Sequence, residues 1–126
     1  MASILRVNTL TDASSNNSVP MATVSSGTAK AWSYITGTGF TLIDNFNVSS
    51  TTDNATGRPE ITFSNNMLNA TYTATGGAYN RVVGEYSTDG GLTTTSAAFA
   101  LITTGGSFDD LASGTGLGLQ IIGDLA

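Results

Sequence analysis

From Ala31 onward, no window of the chain keeps apolar residues at the 3.6-residue spacing of a helix. Apolar and polar residues alternate instead over short runs. Each run stops at a cluster of Gly, Asn, Asp or Ser. This pattern predicts about eight short strands joined by tight turns, which is the signature of a sandwich or jelly roll. Composition supports it: Thr, Ser, Asn and Gly supply 60 of the 126 residues, and only 10% are charged. An average soluble domain carries about 25% charged residues. Helical surfaces draw on Glu, Lys and Arg, which are scarce here, whereas Thr and Gly suit strands and turns.

The expected strands can be placed. Trp32 and Tyr34 alternate with Ser33 and Ile35 in a half-buried strand, with the aromatics facing the core. Gly37-Thr38-Gly39 reads as a tight turn. Phe40 to Ile43 and Phe46 to Thr52 follow, with a bend expected at Asp44-Asn45. Gly57 supplies a left-handed position in the next loop. Ile61 and Phe63 share the inner face of a strand from Glu60. Thr71 to Thr75 aligns Tyr72 with Ala74, and Gly76-Gly77 is expected to end it. Arg81 to Tyr86, Thr93 to Thr103 and the alternating Leu117, Leu119 and Ile121 complete the set. Ser107 to Ala112 offers one rival, a single helical turn capped by Ser107.

Residues 1–30 differ. Ile4 to Leu10 suits one short strand. Thr11 to Pro20 is turn chemistry, and Met21 to Lys30 carries only small apolar residues after Met21. Such a segment closes no core of its own; it is either a linker or an arm that orders against something else. The expected organisation is an extended N-terminal attachment arm over 1–30 and a β-sandwich head over 31–126.

With neither histidine nor cysteine in the chain, Ser-His-Asp and Cys-His catalysis, disulfides and thiolate metal sites are all excluded. Arg6, Lys30, Arg58 and Arg81 are scattered and the net charge is -5, so no basic footprint for nucleic acid exists. No apolar run is long enough for a leader or a membrane-spanning helix. The expectation is a non-enzymatic protein with no cofactor, no metal, no nucleic-acid partner and no membrane partner.

Three constellations remain. Asp109-Asp110 reads as a solvated loop tip before it reads as a calcium site, since no Asp-x-Asp-x-Asp-Gly pattern occurs. Glu60 and Glu85 read as surface carboxylates before a glycosidase pair. Among Trp32, Tyr34, Tyr72, Tyr79 and Tyr86, core packing is the expected role for the first three. The candidate exposed ligand loops hold Tyr79, Asn80, Arg81, Asp89, Phe108, Asp109 and Asp110.

Ser3-Ile4-Leu5-Arg6-Val7-Asn8-Thr9-Leu10, then Gly27-Thr28-Ala29-Lys30-Ala31-Trp32 and Phe46-Asn47-Val48-Ser49-Ser50, resemble small virion surface and tail-fibre-like proteins of marine bacteriophages, including cyanophages. Ile61-Thr62-Phe63, Asn69-Ala70-Thr71-Tyr72 and Ile121-Ile122-Gly123-Asp124 fit the same group, while residues 76–116 match it loosely. The resemblance implies a virion structural protein without catalytic residues, made in the host cytoplasm, carried on the virion surface and assembled as a homotrimer. The expected fold is therefore an all-β antiparallel β-sandwich, jelly-roll-like, with an extended arm. Ile4, Leu5, Val7 and Leu10 are the expected virion attachment residues, adding a strand to a capsid or tail protein. On length, a short fibre or knob decorating the capsid (a head fibre) is favoured. The alternative is a tail-fibre receptor-binding module recognising host surface glycan.

Overall fold

The computed structural model describes residues 7–14 and 17–126. Ile4 and Leu5 of the expected attachment set lie outside them. The fold is mostly strand, with antiparallel sheets packed together. Thr9–Thr11 (β1) and Ser18–Pro20 (β2) form a hairpin, followed by a helix at Met21–Gly27 (α1). Eight strands follow: Ala29–Thr36 (β3), Thr41–Phe46 (β4), Val48–Asp53 (β5), Pro59–Phe63 (β6), Thr73–Ala78 (β7), Val82–Glu85 (β8), Ser96–Ile102 (β9) and Gly116–Ile122 (β10). They make two four-stranded sheets, ordered β4-β3-β10-β7 and β5-β6-β9-β8.

Period two sets the core. Leu117, Leu119 and Ile121 of β10 are buried, as are Ile61 and Phe63 of β6 and Phe99 and Leu101 of β9. They meet Ala31, Ile35, Val48, Tyr72 and Leu111 in one cluster between the sheets. Full burial of each large aliphatic or aromatic side chain is worth about 1.5–3 kcal/mol, so this cluster is what binds the two sheets together.

In β3 the observed phase is the reverse of the expected one. Ala31, Ser33 and Ile35 point inward, while Trp32 and Tyr34 face out at 38% and 45% exposure. Trp32 and Tyr34 share the outer face with Gly118 and Gln120 of β10, and Gly116 leaves room there for the Tyr34 ring. Tyr72 packs as expected, edge-on to Phe63 with ring centroids 5.8 Å apart.

Two further boundaries differ from the sequence reading, and a rival helical turn does not form. The break between β4 and β5 falls at Asn47, not at Asp44-Asn45, because Asn47 takes a left-handed φ of 56°. β7 runs through Gly76 and Gly77 instead of ending there, because both glycines pair with β10. Ser107 to Ala112 is not helical, and Phe108 bridges to Ile102. Gly57 does take the left-handed conformation, with φ 65°.

The N-terminal stretch is a hairpin and a short helix rather than one extended segment. The helix was not expected from the spacing of its small apolar residues. The Met21 amide donates to the Asn8 carbonyl, tying α1 to the hairpin. Among the described residues the core begins at Ala31, and every described residue from Val7 to Pro20 is exposed. β3 itself starts at Ala29.

Candidate functional site

The expected ligand loops are largely engaged with the protein itself. Arg81 Nη2 donates to Asp109 Oδ2 at 2.5 Å and to the Asp110 carbonyl at 3.3 Å. Asp110 Oδ1 accepts the Gly57 amide at 2.6 Å. The two aspartates therefore pin the loop before β10 to β6 and β8. Asp89 pairs with Arg58 at 3.4 Å. The Arg58 guanidinium also lies 5.3 Å from the Tyr86 ring and 5.9 Å from the Phe108 ring, and those rings meet edge to face. This is a clamp across three loops. Tyr79 and Asn80 form the turn between β7 and β8 and stand apart from it, with Tyr79 72% exposed.

Strand register separates the two glutamates. Glu60 pairs with Ala98 and Glu85 with Phe99, so they sit on opposite faces of their sheet. Glu60 Oε2 accepts from the Asn54 side chain at 3.0 Å. Among the described residues no group of three Asp, Glu, His or Cys is placed to hold a metal ion, and no helix is long and apolar enough to cross a membrane. Of the attachment set, Val7 and Leu10 are described, and both are exposed.

A concave feature lies elsewhere, on the outer face of the β4-β3-β10-β7 sheet. Register aligns two rows of side chains across this face. One row runs Phe46, Trp32, Gln120, Thr75. The other runs Asp44, Tyr34, Gly118, Gly77. Trp32 and Tyr34 form the wall of an open groove of about 470 Å³, floored by Gly77 and Gly118 and edged by Thr75 and Gln120. Gly116 makes room for the wall, since a Cβ there would collide with the Tyr34 ring. A Cβ on Gly77 or Gly118 would meet nothing within 4 Å, so these two glycines leave empty space that the packing does not demand.

No charged side chain lines the groove. The side chains of Gln120 and Thr75 and the Tyr34 hydroxyl make no hydrogen bond among the described residues, and the Tyr34 hydroxyl lies over Gly116. The sequence held a signal for this face. Gly116, Gly118 and Gln120 alternate with Leu117, Leu119 and Ile121, so a strip with no bulk faces outward wherever β10 is buried on its other side.

No protein-family model, no curated protein and no solved structure matches this chain.

Proposed function

We propose that this chain is a non-enzymatic structural protein of a bacteriophage virion surface, a short fibre or knob whose β-sandwich head is held to the particle by its N-terminal unit. The observation that carries the reading is the division at Ala29. Residues 7–28 form their own hairpin and helix but place no described residue in the core. Val7, Leu10 and Val19 remain exposed on that unit. An element that contributes nothing to the core of its own fold, yet presents apolar side chains, is suited to docking on another protein.

The resemblance of the Gly27 to Trp32 and Phe46 to Ser50 segments to phage surface proteins gives the particle as the setting, and with it assembly as a homotrimer. The head suits exposure outside a cell: with no cysteine it relies on no disulfide, and it carries few charges. The absence of histidine and cysteine and the separation of Glu60 from Glu85 support a binding or structural role over catalysis.

Antibody labelling of intact particles tests this. Regular labelling over the capsid or at the tail is expected. A protein found only in the lysate and never on purified particles would overturn the reading.

A further inference from the structure

We infer that the outer face of the β4-β3-β10-β7 sheet is a binding site for neutral glycan, with one sugar ring stacked on Trp32 and its hydroxyls reaching Gln120, Thr75 and the Tyr34 hydroxyl.

Four observations lead to that ligand class. First, Trp32 and Tyr34 present half-exposed aromatic faces on adjacent rows, and the C–H face of a pyranose packs on such rings. Second, the groove is wide enough for a small ligand yet floored by glycine, so a flat ring can lie close to the backbone of β10 and β7. Third, the unpaired amide and hydroxyl groups at its edge would be left unsatisfied beneath a purely apolar ligand. Fourth, the lining is uncharged and the chain carries a net -5. Phosphate-bearing or sulfated ligands would find no cation there.

A peptide strand fits this face less well. Strand addition takes place along a sheet edge, here β4 or β7, whereas Trp32, Tyr34, Gly118 and Gln120 lie on the face of β3 and β10, each paired on both sides. Neutral sugar is the chemistry that satisfies both the aromatic wall and the polar rim.

Trp32 is the only tryptophan, so its fluorescence reports on the groove alone. The test titrates the full chain with neutral cello-, malto-, manno- and chito-oligosaccharides, and with sulfated dextran as the acidic control. Acrylamide quenching of Trp32 is followed throughout. Saturable protection by at least one neutral oligosaccharide is expected. Calorimetry should show that affinity falling at least tenfold in Gly118→Leu, which fills the groove from its floor, and in Gln120→Ala, which leaves the packing untouched. The thermal transition of Gln120→Ala should match that of the parent, so loss of binding is not loss of fold. Failure of every neutral oligosaccharide to protect Trp32 would overturn the site. So would unchanged affinity in both variants, or preference for the sulfated polymer. Dissociation of an oligomer by Gly118→Leu would also overturn it, by showing that a second copy covers this face.

Discussion

Asn47 shows how much one side chain can organise. Its φ of 56° turns the chain out of one sheet and into the other. Its Nδ2 donates to the carbonyls of Lys30 and Asn65, each at 3.1 Å, and its Oδ1 accepts the Asn65 amide at 2.7 Å. The start of β3, the β4–β5 corner and the loop after β6 are thus tied at a single amide. Asn47→Ala should cost about 2–3 kcal/mol in chemical denaturation, through lost hydrogen bonds and a left-handed conformation that alanine resists. Tyr72 makes a second residue-scale prediction. Its hydroxyl donates to the Thr93 and Ser96 carbonyls at 2.9 and 2.8 Å. Burial pushes its phenol from 10.0 up to about 12, and the charge of Glu85 acts in the same direction. Below the unfolded value both states hold the proton, so the contribution of Tyr72 to stability is complete. As pH rises from about 10 to about 12 the unfolded chain ionises first, and that contribution is lost. Denaturation curves over this range should fall more steeply for the parent than for Tyr72→Phe. The Phe variant should itself lose about 1–2 kcal/mol at neutral pH.

At the scale of the element, neighbouring glycines in β7 have opposite duties. A Cβ on Gly76 would lie 2.6 Å from a Leu119 methyl and 2.8 Å from one of Val83, at the edge of the core. On Gly77 it would enter the open groove. Gly76→Ala should therefore destabilise by about 1–3 kcal/mol as overpacking, whereas Gly77→Ala should be neutral or stabilise by up to about 1 kcal/mol. Melting temperatures of the pair measure the contrast, and equal shifts would place both glycines on the same footing. Strands like β6 and β10 were legible because one parity is apolar and the other is not. β3 was not, because both parities carry apolar side chains: Trp32 and Tyr34 on one, Ala31 and Ile35 on the other. Size favours the aromatics as core residues, but the glycines of β10 leave room for them on the outer face. That inversion also hid the groove, since its wall was assigned to the interior. The glycines of β7 concealed their strand in the same way, because isolated from the sheet they read as a break. Trp32→Ala should accordingly cost about 1 kcal/mol, well under the 3–5 kcal/mol expected for a buried tryptophan.

At the scale of the whole molecule, the N-terminal unit stands outside the core that joins the two sheets. Removal of residues 1–28 should leave a head with the parent's cooperative thermal transition, because the core begins at Ala31. The shortened protein should fail to co-purify with particles. A head that loses its transition would show instead that α1 and the hairpin support β3. The broad plan was readable from turn spacing and alternation. The partition of strands between sheets was not, since β3 finds β10 and β6 finds β9 across long stretches of sequence. Pairings of that kind depend on tertiary packing and leave no local mark.

The position of β10 between β3 and β7 has a consequence for biosynthesis. Among the described strands β10 emerges from the ribosome last, yet it is the strand that closes its sheet. Until it arrives, β3 and β7 have no shared partner, and the inner faces of both sheets wait uncovered. Folding of the head is then a late event, completed after synthesis of Gly116–Ile122 and slowed by loop closure over most of the chain.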